Sequence, residues 1–327
     1  MTSIADQYRI ITTGAGWLDR GTRGRLKFAG TDALAFLQGL LTNDVAHLQP
    51  GQGAYAAWLT ALGRMTTDIV VLHRGTHVMG LVGNGRGAEL ATKFDALIFA
   101  EDLAVTDVSG DDADLFVTGR AAAEVVAEAT GADAVLLASM NELSQVDIDG
   151  GFVARVGDSP LPAFRILVER GLAGRIVAAL ERQGVVAMTE PMAAALRIEA
   201  GRSEWGADLS ADVIPLEAGL LERAISTGKG CYVGQEIVIR ILHRGGGRVA
   251  KRLVTFAFDP SVTDVPTPMA TLEVDGKAVG HVTSAAWSPA RGCVIALGYL
   301  HRDAAEIGRQ VTVAGSGAAA TVTGFAT

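Results

Sequence analysis

Short apolar strands separated by glycine and proline follow one another from residue 251 to the end of the chain, and helical periodicity is nearly absent there. The segments with strand character are KRLVTFAFDP, ATLEVDGKAVGHVTSAAW, CVIALGYLH and QVTVAGSGAAATVTGFA. Such a run is typical of a small closed barrel. We therefore expect a C-terminal β-barrel over residues 246–327.

The first 245 residues alternate strand and helix patterns instead. A strand at RGRLKFAG precedes Thr31-Asp32, which predicts a helix N-cap before ALAFLQGLLTNDV. Strands at AYAAWLTA and RMTTDIVVLHRG are separated by a turn around Gly63. A second cycle follows in VDIDGGFVARVG, FRILVERG, GRIVAALERQG and AAALRIEAG. The pattern predicts an α+β body of two subdomains over residues 1–245, with Gly245–Gly247 as a hinge.

Composition narrows the class of protein. The chain has 327 residues, about twice a typical domain, and 49% of them are apolar. No apolar run approaches the ~18 residues that span a membrane. The start, MTSIADQYRI, lacks the basic and apolar blocks of a secretory signal. We expect a cytoplasmic protein without membrane association.

One of only two cysteines lies in the segment KGCYVGQE, between glycines and beside a lysine. A nearby cation lowers the pKa of a thiol from about 8.5, and glycines allow close approach of a partner. The same residues also fit a small hydrophobic side chain in a glycine-rich turn. Cys293 lies in an apolar strand and is expected to be a buried core thiol, and neither cysteines nor histidines show metal-ligand spacing.

KGCYVGQE followed by an arginine-bearing segment with strand character resembles the YgfZ-like folate-binding proteins, relatives of the glycine cleavage T protein, an aminomethyltransferase. Other stretches resemble the opening, middle and closing barrel of that superfamily: FLQGLLTNDVAHLQPGQGAYAAWLTALGRMTTDIVV, LRIEAGRSEWGADL, PLEAGL and GHVTSAAWSPARGCVIALGYL. The resemblance implies a T-protein-like body with a ferredoxin-like part and a closing barrel, enclosing a folate channel. It implies tetrahydrofolate or a one-carbon derivative as cofactor.

The resemblance also implies site residues. Tyr55 and Asp68 match positions that contact folate and carry the essential carboxylate, and Arg197 and Glu199 match a segment of the folate pocket. A desolvated carboxylate stabilises developing positive charge, and an arginine fork suits a pterin carbonyl or a glutamyl carboxylate. Without the resemblance, Asp68 would be a strand-edge residue facing water, and Arg197 and Glu199 a surface charge pair.

The chain has Thr67-Asp68 where the family carries Asp-Asp, and a second departure from the family pattern is important. T proteins carry Tyr-Thr-Gly-Glu before a strand of their second domain, whereas this chain has Val-Gly-Asp-Ser-Pro at residues 156–160. The glutamate expected to hold the pterin edge is absent, and Asp158 replaces it only with a shifted backbone. This difference predicts altered folate recognition.

A weak dinucleotide-binding pattern is also present. Gly83, Gly85, Gly87 and Ala88 fit G-x-G-x-x-A, with acidic residues at positions 101 and 102 where a ribose-binding acid would lie. The strand-to-helix turn of the T-protein body accounts for the same residues. The glycines of Gly245–Gly247 lack a following Lys-Ser/Thr and do not form a phosphate loop.

Positive charge is concentrated in one segment although the net charge is −8. Glu236 is the only acid among six basic residues: Lys229, Arg240, Arg244, Arg248, Lys251 and Arg252. Such a segment could bind the glutamate tail of a folate or RNA phosphates, or be a solvated strand face. The absence of interleaved aromatic residues argues against reading of RNA sequence.

The resemblance implies a tetrahydrofolate-binding protein that supports assembly or repair of iron-sulfur enzymes and tRNA modification, with iron-sulfur client proteins as partners. The motif residues are Lys229, Gly230, Cys231, Tyr232, Gly234, Gln235 and Glu236. In this interpretation Cys231 is the working thiol, Lys229 helps to ionise it, and Gln235 and Glu236 orient the loop. Two alternatives stay open: a folate-dependent aminomethyl- or methyltransferase, and a scaffold that binds protein or RNA through the basic segment.

Overall fold

A computed structural model describes residues 3–327, so Met1 and Thr2 of the segment MTSIADQYRI lie outside the described residues. The chain divides into two compact units: Met1–Ala56 with Asp68–Glu190, and Ala57–Thr67 with Pro191–Thr327. Residues 191–245, predicted to belong to the body, are in the same unit as the barrel. The domain boundary near residue 246 stays a prediction. Within residues 3–327, no helix combines the length and apolarity that crossing a membrane requires.

The first unit contains most of the alternating helices and strands. Its strands, including two that continue into the second unit, are β1 (Gly16–Asp19), β2 (Arg23–Ala29), β3 (Gly53–Leu59), β4 (Met65–His73), β5 (Val78–Asn84), β6 (Ala104–Asp107), β7 (Asp112–Thr118), β8 (Gln145–Ile148), β9 (Gly151–Val156), β10 (Ala163–Glu169) and β11 (Val186–Ala187). Its helices are α1 (Ile4–Thr13), α2 (Ala33–Leu40), α3 (Gly87–Asp95), α4 (Ala122–Thr130), α5 (Ala134–Ser139) and α6 (Arg170–Arg182).

These strands form two sheets, with orders β11-β1-β7-β10-β9-β8 and β3-β4-β5-β2-β6. Alternate residues of β7 and β10, such as Leu115 and Ile166, face a core that helices α4 and α6 cover with Val126 and Leu180. The predicted α+β class is confirmed.

The glycine pattern near residue 85 belongs to an antiparallel sheet. β5 pairs antiparallel with both β4 and β2, so the parallel βαβ unit of a dinucleotide site is missing here. Gly87 allows close packing instead, because an added Cβ would lie 2.4 Å from Asp107 Oδ1. Asp102 accepts a hydrogen bond from the Thr31 hydroxyl at 2.8 Å. The structure therefore contradicts the dinucleotide interpretation.

Helix α2 differs from its prediction at both ends. Asp32 occupies the N-cap position but accepts no capping hydrogen bond, since its carboxylate accepts from the Asp102 N–H at 2.8 Å. The helix was expected to reach Val45, yet it ends at Leu40. Gln38 explains the early end, because its side-chain oxygen accepts from the Val45 N–H at 2.8 Å and holds the following turn.

The second unit contains short helices and the barrel. Its elements after β11 are α7 (Glu190–Glu199), whose first residue belongs to the first unit, α8 (Leu221–Ala224), α9 (Gln235–Ile239), a π-helical turn (Arg240–Arg244), β12 (Lys251–Phe258), β13 (Thr271–Val274), β14 (Lys277–Ser288), β15 (Cys293–His301), β16 (Gln310–Val313) and β17 (Ala319–Phe325). The six strands close in the order β12-β15-β14-β13-β16-β17. Val254, Phe256 and Phe258 alternate into the barrel core, so the predicted barrel is confirmed.

The arginine-bearing segment after KGCYVGQE is helical, which corrects the predicted strand. It forms α9 and the π-helical turn, which Gly245 closes by donating its N–H to the Arg240 carbonyl at 3.1 Å. Gly246 and Gly247 then adopt left-handed conformations that favour glycine, with φ of 59° and 73°. The glycine run Gly245–Gly247, which the sequence predicts to be a hinge, therefore ends a helical segment.

Charge is buried inside the first unit in a cluster of two arginines and one aspartate. Arg165 forms a bidentate pair with Asp114, and Arg25 Nη1 lies 3.8 Å from Asp114 Oδ2. All three side chains are almost fully buried. Arg25 also donates to the carbonyls of Ser109 and Asp112, so its positive charge is shared among several oxygens.

Replacing Asp114 by asparagine should strongly destabilise the protein, because two buried guanidiniums then share no carboxylate. We expect a loss of about 3–5 kcal/mol, the usual cost of breaking a buried ion pair. Urea unfolding of the full chain measures it. Asp111→Asn is the exposed control. Equal unfolding midpoints for the two variants would contradict a stabilising role for the cluster.

Candidate functional site

Tyr55 and Asp68 lie on the neighbouring strands β3 and β4 and are directly hydrogen-bonded. The Tyr55 hydroxyl donates to Asp68 Oδ2 at 3.1 Å. Tyr55 is buried, and Asp68 is half-buried between the fully buried Thr67 and Ile69, whose side chains take the opposite face of the strand. The structure thus brings together the two residues that the sequence predicts as one site, and Asp68 is more enclosed than a strand-edge carboxylate in water.

The turn after α2 holds this part of β3. Asn43 donates its side-chain amide to the Tyr55 carbonyl at 2.8 Å, and its oxygen accepts from the Asp44 N–H at 2.9 Å. Gln38 donates to Asp44 Oδ1 at 3.1 Å. The sequence showed these residues only as part of a resembling stretch, so their contact with β3 was not predicted.

Asp158, the candidate replacement for the missing glutamate, lies in the connection between β9 and β10. It is half-buried, next to the buried Ser159. The Ser159 hydroxyl accepts from the Leu161 N–H at 3.2 Å, which forms a local turn. The role of Asp158 towards folate stays a prediction.

Cys231 is exposed in the loop that leads into α9. The loop packs against the hairpin tip of residues 57–67 in the same unit. Gly234 has φ of 81°, and an added Cβ would lie 2.5 Å from the Thr60 carbonyl oxygen. Gly63 meets Ile237 equally closely, with 2.7 Å between an added Cβ and the Ile237 Cβ. Two glycine contacts therefore fix the position of the loop.

The neighbouring motif residues contact one another. The Lys229 ammonium lies 5.3 Å from the centre of the Tyr232 ring, and burial raises the pKa of Tyr232 to about 12. Glu236 accepts a hydrogen bond from Arg240 at 2.6 Å, one helical turn further on. Gln235 begins α9. The predicted role of Lys229 in ionising the Cys231 thiol stays a prediction.

Cys293, by contrast, begins β15 and is 6% exposed. Burial raises the pKa of its thiol. This arrangement matches the expected core thiol, so Cys231 alone of the two is placed to react with a partner.

Arg197 is buried rather than on the surface, and it binds several neighbours. Its Nη1 donates to Asp208 Oδ2 at 2.6 Å, and its Nη2 donates to the Ser284 hydroxyl at 2.8 Å. Asp208 is itself fully buried and also accepts from the Thr283 hydroxyl. Asp208 carried no sequence signal beyond its place in WGADL, because two of its partners, Thr283 and Ser284, lie 75 and 76 residues away along the chain.

Glu199 and Arg197 contact different residues. This contradicts the alternative interpretation of the two residues as a surface charge pair. It is half-buried and accepts from the Ser288 hydroxyl at 2.5 Å. Burial raises the pKa of its carboxyl group. The folate-binding roles of Arg197 and Glu199 stay predictions.

The basic residues are divided between helical and barrel elements. Arg240 pairs with Glu236, while Lys251 and Arg252 at the start of β12 lie over aromatic rings, at 4.6 and 4.8 Å from the ring centres. Arg244 and Arg248 are exposed. An interpretation of this segment as one strand face is wrong, because α9 and the π-helical turn carry part of it.

The site holds hydrogen-bonding oxygen atoms, those of the Tyr55 hydroxyl and the Asp68 carboxylate. A cluster of metal ligands is not evident among the described residues. Within residues 3–327, no group of three histidine, cysteine or acidic side chains is arranged to hold a metal ion. The half-buried Asp68 carboxylate suits the N–H donors of a reduced pterin, and the Tyr55 hydroxyl orients it.

Replacing Gly234 by alanine should displace the Cys231 loop. The left-handed backbone alone costs about 1–2 kcal/mol for a non-glycine residue, and the Thr60 carbonyl adds a steric conflict. Thermal unfolding should show lower stability, and amide hydrogen exchange should increase at residues 229–239. Gly230→Ala is the matched control, because an added Cβ there meets no atom within 4 Å. Identical behaviour of both variants would show that the glycine contact does not fix the loop.

Comparisons with known proteins match this architecture. The family model "GCVT N-terminal domain" matches residues 1–229, and "Glycine cleavage T-protein C-terminal barrel domain" matches residues 251–325. The aminomethyltransferase of Geobacillus kaustophilus is 30% identical, covering 95% of this chain and 86% of its own. The aminomethyltransferase of Bacillus subtilis is 26% identical, with the same two coverages.

A solved structure shows the same fold. The crystal structure of the glycine cleavage system aminomethyltransferase T from Bartonella henselae has a TM-score of 0.88 and 21% identity, covering 98% of this chain and 88% of that one. The T-protein part of the predicted resemblance is confirmed, and with it tetrahydrofolate as the one-carbon carrier of the family. The YgfZ-like subtype stays a prediction. The chain belongs to the glycine cleavage T-protein family.

Proposed function

We propose that this protein is a YgfZ-like member of its family that binds tetrahydrofolate and supports the assembly or repair of iron-sulfur enzymes and tRNA modification. The hydrogen bond between the Tyr55 hydroxyl and the Asp68 carboxylate carries the folate part of the proposal. The exposed thiol of Cys231, in a loop fixed by glycine contacts, supports the rest.

Asp68 would hold the folate through its carboxylate. A carboxylate accepts several hydrogen bonds, of which the Tyr55 hydroxyl supplies one, and ligand N–H groups are suitable donors to the same oxygens. Partial burial lowers the local dielectric and strengthens the attraction of Asp68 for positive charge on the ligand. Tyr55, tied to Asn43 through its carbonyl, keeps the carboxylate in one orientation.

Arg197 contributes to the second unit mainly as a structural residue in this proposal. Its donors already bind the Asp208 carboxylate and the Ser284 hydroxyl. A direct contact with folate would compete with these hydrogen bonds, and breaking them would leave Asp208 a buried charge with fewer partners. The folate proposal therefore rests on Tyr55 and Asp68.

Cys231 would act on a macromolecular client. An exposed thiol on a firmly held loop is accessible to a protein-sized partner, and thiolates are the preferred ligands of iron-sulfur clusters. Among residues 3–327, Cys231 belongs to no group of three histidine, cysteine or acidic side chains that could hold a metal, which suits transient contact with a client better than a permanent cluster. The exposed Arg244 and Arg248 would attract acidic or phosphate-bearing partners.

A folate-dependent aminomethyl- or methyltransferase is the second candidate. It is favoured by the Tyr55–Asp68 pair and by relatives that are named aminomethyltransferases. The absence of the pocket glutamate and the presence of the cysteine motif argue against it. Turnover of tetrahydrofolate with a methylamine donor distinguishes this candidate from the first.

Calorimetric titration with tetrahydrofolate tests the folate site. Asp68→Asn should weaken binding at least tenfold, equal to about 1.4 kcal/mol, because it removes the negative charge. Tyr55→Phe should weaken it less, since the carboxylate remains. Asp95→Asn, an exposed substitution in the same unit, is the control. Unchanged affinity of Asp68→Asn would refute this site, and absence of binding by the unmodified protein would favour the scaffold.

Complementation of a strain lacking the protein tests the thiol. Cys231→Ser should abolish support of iron-sulfur enzyme activity and leave the thermal midpoint unchanged, because the side chain is exposed. The double variant Arg244→Gln/Arg248→Gln should retain most of that support. The reverse pattern, with the arginine variant inactive and Cys231→Ser active, would establish the scaffold alternative.

A further inference from the structure

A cavity in the second unit is lined by neither the Tyr55–Asp68 pair nor Cys231. Its volume is about 390 Å³, and it is open to solvent. Charged and aromatic side chains from five segments are among its lining residues, including Arg64, Asp212, Glu217, Lys251, His281 and Tyr299. This volume is near the lower end for small-molecule pockets, which suits a metabolite more than a large cofactor.

A buried carboxylate forms its inner wall. Glu217 is 7% exposed, and its Oε2 accepts from the Ile214 N–H at 3.3 Å. Burial raises the pKa of Glu217. Its backbone carbonyl accepts from the Leu253 N–H at 2.8 Å, which fixes the residue against the barrel. A ligand cation would relieve the cost of burying this carboxylate.

Two cations lie nearer to the solvent. Lys251 is half-buried with its ammonium 4.6 Å from the centre of the Tyr299 ring, and Arg64 is exposed and donates to the Asp212 carbonyl at 2.5 Å. His281 stacks near Tyr299, with 5.9 Å between ring centres. Burial and the charge of Lys251 lower the pKa of His281, so the imidazole is neutral near pH 7.

The cavity therefore carries charges of both signs, with the buried Glu217 carboxylate inside and two cations beside the exposed Asp212 carboxylate nearer to the solvent. A simple anion would meet Glu217, and a simple cation would meet Lys251 and Arg64. A molecule that carries both charges can pair its positive group with Glu217 and its negative group with Lys251 and Arg64. Three aliphatic side chains, Ile214, Val279 and Leu300, also line the cavity and can accept a small apolar group.

We propose that this cavity binds a zwitterionic aliphatic amino acid, with its ammonium towards Glu217 and its carboxylate towards Lys251 and Arg64. The aliphatic side chain would lie against Ile214, Val279 and Leu300. The site is independent of the proposed folate function, because neither Tyr55 nor Asp68 lines it.

Calorimetry of the full chain in the absence of folate, with leucine as the probe, tests the proposal. Leucinamide keeps only the ammonium and N-acetylleucine keeps only the carboxylate. Leucine should bind, and each analogue should bind at least tenfold more weakly. Glu217→Gln and Lys251→Gln should each weaken leucine binding at least tenfold. The matched controls, Glu273→Gln and Lys277→Gln, change barrel residues outside this cavity and should bind as the unmodified protein does.

Three results would overturn the proposal. Equal binding of N-acetylleucine would indicate a general anion site, equal binding of leucinamide a general cation site, and absence of leucine binding at about 10 mM no site of useful affinity. Thermal unfolding checks that each variant is folded. If Glu217→Gln does not fold, Lys251→Gln with its control still decides, because Lys251 is only half-buried.

Discussion

Four donors converge on the fully buried carboxylate of Asp208, two from the preceding segment of the chain and two from the barrel. They are the Arg197 guanidinium, the Glu204 N–H and the hydroxyls of Thr283 and Ser284. A buried carboxylate is stable only when it is paired and fully hydrogen-bonded. Helix α7 and strand β14 must therefore be in place together, and the second unit depends on this condition.

The cysteine loop is held in place by close packing at two glycines rather than by buried charge. Gly234 and Gly63 let two backbone segments approach to a distance that any larger residue would prevent. The loop is consequently exposed and firmly positioned at the same time. Reactive groups gain from this combination, because the ordering entropy is lost during folding rather than when a partner binds.

Local patterns predicted much of the fold. Alternating apolar residues and the turn around Gly63 predicted β3 and β4, and the same kind of pattern predicted the barrel strands. The run Ile237–Ile241 was wrongly predicted as a strand, because its branched side chains favour strands. The Glu236–Arg240 pair and the glycines after residue 244 override that preference in the structure. Asp208 had no local signal, since its main partners are up to 76 residues away.

The hairpin tip of residues 57–67 is part of the second unit, although the rest of that unit begins at Pro191. During synthesis these eleven or so residues emerge long before the strands and helices that accompany them. The contacts of the hairpin tip with Gly234 and Ile237 form only after residue 237 has been synthesised. A fragment beginning at Pro191 would lack the hairpin tip, so the second unit cannot be obtained complete from one contiguous stretch of the chain.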